Sequence, residues 1–212
     1  MNEAVKKKNE LLAQKVIKGL KGRNMTGFYA ANKEEALKMA LGLIKEETTV
    51  GWGGSTTVEE IGLKEALIKG NYQVINRDLA KDAKEKRALE LAVLGTSTMV
   101  VGSNAITEDG ELVNIDGNGN RVAGIIYGPE QVVIIMGMNK VCKTLEDAIS
   151  RAQNMAATTN TKRFAIQTPC NITGSCAKCK TPETICCQYV VTRYSKIKDR
   201  IKVILVNENL GF

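Results

Sequence analysis

VGWGGSTTVEEIGL, residues 50–63, decides the fold class. An apolar run, a Gly-Gly-Ser-Thr-Thr turn and then apolar residues at helical spacing read as strand, tight turn and helix. Glycines let the backbone turn sharply and approach a ligand closely. Ser55, Thr56 or Thr57 supplies an N-cap, and Glu59 or Glu60 falls near the capping-box position. The free N–H groups of such a helix start form an anion seat. A tight turn with an ordinary cap is the plain alternative. No Lys follows the glycines as in a Walker loop, and the G-x-G-x-x-G of dinucleotide folds is missing.

Outward from this turn, the same alternation runs along the whole chain. Upstream lie an amphipathic helix over 3–21, a short β-prone run over 27–31 and a helix over 33–46. Downstream, a helix from about Thr57 to Lys69 leads to YQVIN (72–76), a helix over 79–93 and TSTMVVG (96–102). ITEDGELVNI (106–115) reads as a hairpin turned by Asp-Gly. QVVIIMG (131–137) and a helix over 144–156 follow, and QYVVTRY (188–194) with IKVILVN (201–207) is expected to close the chain as a second hairpin. Near-continuously apolar strands alternating with helices predict an α/β fold with a largely parallel sheet flanked by helices. The expectation is one domain over 1–212, with an N-terminal helix in 1–24 and a cysteine-rich loop at 168–187.

No apolar run approaches the roughly 20 residues that span a bilayer, and MNEAVKKKNELLAQ has no apolar core for a signal peptide. A cytoplasmic protein is therefore expected, in which structural disulfides are disfavoured. The net charge of +7 suits an anionic partner. Scattered lysines and an aromatic content of 4% argue against nucleic acid and for a small anion.

NIDGNGNRVAG (114–124) is the second glycine-rich turn. Asp116, Asn118 and Asn120 imitate half of a calcium loop, but Arg121 stands where the required Gly belongs and Tyr127 where the closing Glu belongs. Calcium is excluded. The candidate ligand-binding residues here are Asp116, Gly117, Asn118, Gly119, Asn120 and Arg121, with Arg121 able to fork onto a carboxylate or phosphate. Lys140 follows the strand 131–137 and reaches the same pocket or is simply solvated. The carboxyl ends of parallel strands are where such folds bind ligands.

VGWGGSTTVEEIGL, GSNAITEDGELVNIDGNGNR, GMNK and TPCNITGSCAKCKTPETIC, in this order and spacing, resemble the LUD (lactate utilisation) domain family. The resemblance runs from the first helix to VILVNENLGF. It implies the fold shared by NagB, ribose-phosphate isomerase and the CoA transferases, with Gly53, Gly54, Ser55 and Thr56 matching its anion loop; Asn104 joins the candidate set from the second motif. It also implies a setting in lactate oxidation beside iron–sulfur partners, and no established reaction for a short member standing alone.

Five of the six cysteines fall in 168–187, and the chain has no histidine. Cys170-x5-Cys176-x2-Cys179-x6-Cys186 offers four thiolates, suited to zinc or an iron–sulfur cluster. The spacing matches neither a zinc ribbon nor the common ferredoxins. Free thiols acting as a redox switch, and thiols that merely pack, are the other readings. The resemblance implies cysteine at these four positions and Asn where Cys187 stands, so Cys187 is the bystander.

Without histidine, Ser-His-Asp and Cys-His mechanisms are excluded. Glu108, Asp109, Glu111 and Asp116 are the carboxylates open to acid–base work, and no spacing singles one out. The reading is a protein that binds a small anionic metabolite or cofactor at the two glycine turns, in organic-acid metabolism. The rival is a non-enzymatic accessory or redox-sensing subunit of an iron–sulfur oxidoreductase. A sugar-phosphate isomerase or CoA-transferase-like enzyme is the third reading, by fold analogy.

Overall fold

The computed structural model describes residues 2–212. In chain order its elements are α1 (Glu3–Gly22), β1 (Thr26–Ala30), α2 (Lys33–Leu43), β2 (Thr49–Trp52), α3 (Thr56–Glu60) and α4 (Leu63–Lys69). Then come β3 (Gln73–Ile75), α5 (Ala83–Val93), β4 (Thr98–Gly102), β5 (Ala105–Thr107), β6 (Leu112–Asp116) and α6 (Asn120–Ile126). The chain ends through β7 (Gln131–Gly137), β8 (Val141–Cys142), α7 (Leu145–Arg151), β9 (Gln188–Thr192) and β10 (Ile201–Val206). No helix is long and apolar enough to cross a membrane among the described residues.

Six strands form one sheet in the order β1-β10-β7-β4-β2-β3, and every neighbouring pair is parallel. Side chains alternate across a strand, so a strand covered on both sides must be apolar at every position. In β7, Val132, Ile134 and Met136 pack with Ala13, Val16 and Leu20 of α1 on one face. Val133 and Ile135 point the other way, into a core shared with Ala36, Ala40, Leu63 and Leu67 of α2 and α4. The expected α/β architecture is therefore present, and the carboxyl ends of β2, β4, β7 and β10 share one rim.

A second sheet, in the order β8-β5-β6-β9, sits beyond that rim. Its β5–β6 hairpin is the one anticipated at Asp109-Gly110. The hairpin tip is held against α1: Lys15 pairs with Glu108, and Arg23 with Asp109 and, at 3.3 Å, Glu111. These carboxylates thus serve docking.

The closing hairpin is not formed. β9 pairs antiparallel with β6 at the edge of the second sheet, whereas β10 inserts between β1 and β7 in the first. The burial patterns give the reason. β9 alternates between exposed and half-buried, as an edge strand with one covered face does. β10 is buried at nearly every position and needs cover on both faces.

Two expected helices are also interrupted. The segment after Thr57 breaks at Gly62, which adopts φ +73 between α3 and α4. The helix expected over 144–156 is α-helical to Arg151 and continues as a π-helical turn over Ala152–Ala157.

Candidate functional site

β2 delivers the first glycine turn to the rim. Ser55 is the N-cap of α3, its Oγ accepting from Val58 N at 3.3 Å. Val58 therefore occupies the position where a capping box needs a carboxylate. Glu59 instead pairs with Lys64 at 2.6 Å, and Glu60 Oε2 accepts from Gly211 N at 2.7 Å. A Cβ on Gly53 would lie 3.0 Å from Arg121 Cγ, and one on Gly102 would lie 2.7 Å from Ser55 Oγ. The loop is thus packed against the end of β4 and against Arg121. Gly54 is exposed, with open space where a Cβ would stand.

The second turn meets the first through Arg121, whose side chain is 12% exposed. Its Nη1 donates to Gly102 O (3.2 Å) and Asn114 Oδ1 (2.6 Å). Its Nη2 donates to Asn104 Oδ1 (3.1 Å) and Ile115 O (2.7 Å). Nε lies 3.5 Å from Asp116 Oδ2. Every guanidinium nitrogen thus has a protein partner, so Arg121 ties the two turns together. Burial lowers its pKa and Asp116 opposes the shift.

Asp116 accepts from Gly119 N and Val122 N at 3.2 Å each, fixing the start of α6. Gly119 supplies the left-handed residue there, at φ +83. Asn118 is exposed and Asn120 half-buried. Asn114 is fully buried, and its Nδ2 has no partner among the described residues.

Lys140 is buried at 3% exposure, beyond the carboxyl end of β7. Its Nζ donates to Thr57 Oγ1 at 2.9 Å. Burial pulls its pKa down to about 7; Arg151 and Arg121 push the same way and Glu60 opposes. No carboxylate lies within 4.0 Å of this amine among the described residues. Arg151 donates from Nε to Asn139 O (3.0 Å) and from Nη1 to Asn104 O (2.6 Å). Arg163 Nη1 reaches Thr56 Oγ1 at 3.4 Å. The C-terminal residues cross over this cluster. A Cβ on Gly211 would lie 2.5 Å from Thr57 Oγ1 and 3.1 Å from Lys140 Nζ.

Gly53, Ser55, Asn104, Asp116, Arg121 and Lys140 are therefore gathered at one rim. Thr57 and Asn114, which lie within the two quoted motifs, also belong there, and so does Arg151, which no sequence signal marked: it looks like an ordinary basic residue in the last turn of a helix.

The cysteine loop packs beside the second turn. Cys187 N donates to Asp116 O at 3.0 Å, and Gly117 abuts Ile185. Cys170, Cys176, Cys179 and Cys186 all line one cavity of about 390 Å³. Cys170 is buried, on a five-residue helix (Pro169–Thr173); Cys187 is exposed. Burial and the neighbouring thiols push Cys186 up to about 11. No three Cys, Asp or Glu side chains among the described residues stand at single-metal spacing. A larger hollow, about 720 Å³, lies apart from both clusters between α1 and the ends of β1 and β10, lined by Lys6, Glu10, Tyr29 and Asn207.

Among solved structures the chain resembles a DUF162 family protein from Deinococcus radiodurans, at 9% identity and TM-score 0.55, covering 94% of this chain and 98% of that one. A D-ribose-5-phosphate isomerase in complex with phospho-erythronic acid aligns at 18% identity and TM-score 0.36, over 53% of this chain and 54% of that one. The ribose 5-phosphate isomerase A of Methanocaldococcus jannaschii aligns at 17% identity and TM-score 0.36, over 61% and 66%. No curated protein sequence matches the chain. The LUD domain family matches residues 13–206, nearly the whole length, and the chain belongs to that family.

Proposed function

We propose that this LUD-domain protein binds a small anionic metabolite, a short organic acid of the lactate type, at the rim between its two glycine turns. The observation that carries the reading is Lys140: an amine buried in the fold, hydrogen-bonded to Thr57, with Arg151 and Arg121 in electrostatic reach. Arg121 is paired with Asp116, but the Lys140 amine is buried with no ion-paired carboxylate among the described residues, and that is costly. An arriving carboxylate or phosphate removes that cost. Asn114 Nδ2, a buried donor without a partner among the described residues, supports the same reading. Arg121 acts by holding the turns in register, and the segment carrying Gly211 lies against Thr57 and Lys140.

Because the Lys140 amine titrates near pH 7, an anion that favours its charged form draws a proton from solution as it binds. Calorimetric titration in buffers of different ionisation enthalpy measures that uptake, after a thermal-shift panel of lactate, pyruvate, sugar phosphates, CoA esters and nucleotides. Stabilisation by short carboxylates, with proton uptake above pH 7 and loss of both in Lys140→Met, is expected. Stabilisation that persists in Lys140→Met, or none by any class, overturns the reading.

A second reading, an accessory subunit of an iron–sulfur oxidoreductase, is favoured by Tyr189, a large side chain exposed on the wall of the cysteine cavity. A panel without response, together with a defined complex with such an oxidoreductase, would favour it over the first.

A further inference from the structure

The cysteine loop carries chemistry that the anion site does not use. Four thiols separated by five, two and six residues all open onto one cavity, and no Asp, Glu or His lines it. Cys187, adjacent in sequence to Cys186, is turned away and donates to Thr184 O at 3.6 Å. The fold thus selects four of five neighbouring cysteines and directs them to a common space. Simple packing would not need that selection.

The size of the space discriminates between occupants. A lone zinc needs its four sulfurs about 2.3 Å from one point. These thiols instead stand around a hollow of about 390 Å³, with no three of them at single-ion spacing among the described residues. A hollow of that volume lined by four thiols admits an occupant larger than a single ion. A four-iron, four-sulfide cube ligated by four thiolates is such an object.

The surroundings of the sulfurs agree. Gln153 Nε2 donates to Cys176 Sγ at 3.3 Å, and Lys178 N donates to the same sulfur at 3.5 Å. Lys178 is left-handed at φ 50, inside the C-x2-C turn. Thr168 Oγ1 lies 3.5 Å from Cys170 Sγ, and Thr184 Oγ1 lies 3.8 Å from Cys179 Sγ. Hydrogen bonds to the sulfurs are among the features that tune a cluster. Four thiolates leave the cluster with net negative charge, and Lys178 and Lys180 on the cavity wall offset it.

We propose that Cys170, Cys176, Cys179 and Cys186 ligate a [4Fe–4S] cluster in this cavity. The thiols give up their protons as iron binds. The cluster lies next to the anion rim, because Gln153 is two residues from Arg151 and Cys187 N is bonded to Asp116 O. The assignment does not depend on what the rim binds.

The test is iron, zinc and acid-labile sulfide analysis of the full chain purified without oxygen, and again after reconstitution with ferrous iron and sulfide. About four irons and four sulfides per chain are expected, with broad visible absorption that bleaches on reduction. Cys179→Ser and Cys186→Ser should lose most of the iron while keeping the wild-type circular dichroism, and Cys187→Ser should keep it all. One equivalent of zinc without sulfide overturns the proposal, as does a stoichiometry near two irons. So does a reconstituted wild-type chain that holds no iron while all its thiols remain titratable. Full loading of Cys187→Ser alone guards against a misfolded variant being read as a lost ligand.

Discussion

Lys140 Nζ donates to Thr57 Oγ1 across 2.9 Å, joining the end of β7 to the start of α3 beneath the C-terminal residues. The two residues are 83 positions apart, and their meeting makes a solvent-type side chain into a buried one.

The cost of that burial should be visible as a pH dependence of stability. The unfolded chain holds the Lys140 proton up to about 10.5, the folded chain only up to about 7. Between these values the unfolded state binds more protons, so stability rises with pH. Below about 7 both states are charged and the cost is constant. Lys140→Met should remove this slope. It should be more stable than the parent at neutral pH, by up to ~5 kcal/mol, with the gap closing toward pH 10.5. Urea unfolding across this range measures it, and parallel curves for the two proteins would refute the assignment.

Gly211 lies against the same amine. It sits at φ +54, with Thr57 and Lys140 in the space a Cβ would fill. Gly211→Val should displace the segment and expose Lys140 at a strain cost of about 1–3 kcal/mol. Amine-specific labelling read by peptide mass spectrometry should show Lys140 reacting several-fold faster. An unchanged labelling rate would mean that other groups cover it.

Arg121 should behave as a structural residue even without ligand. Its removal leaves Asp116, Asn104 and Asn114 short of donors, together with two carbonyls. Breaking such a buried pair costs about 3–5 kcal/mol. Arg121→Met should lose that much in denaturant unfolding, and Arg121→Lys should recover little, because one ammonium cannot reproduce the fork. A neutral Arg121→Met would mean the guanidinium is held for a ligand instead.

Ser55 gives a smaller and cleaner effect. Its Oγ serves Val58 N, so Ser55→Ala should cost about 1 kcal/mol. Gly102→Ala should cost more, because its Cβ would drive into the same hydroxyl. Thermal midpoints of the two variants rank them.

Much of this was legible beforehand, and the exceptions are instructive. The alternation in 50–63 identified β2, its turn and the following helix, because periods of 2.0 and 3.6 are properties of contiguous chain. The β5–β6 hairpin was equally plain from Asp109-Gly110. Arg121 stands in the second glycine turn by sequence. Its four Nη donor bonds nevertheless go to groups up to 19 residues away, as the bond to Gly102 O shows, and nothing local in the sequence reveals that.

The sequence by itself determined most element types and the family, and the family resemblance implied a four-thiol set separate from Cys187. Only the tertiary structure decided that β10 lies between β1 and β7 while β9 leaves for the other sheet. It also decided that Lys140 is buried and that four thiols share one cavity. The physical reason is the range of the interactions. Helix and turn preferences act over a few residues. Thr26 meets Lys202, and Lys140 meets Thr57, only because apolar strands must be covered on both faces, and that need is met by whichever distant segment fits.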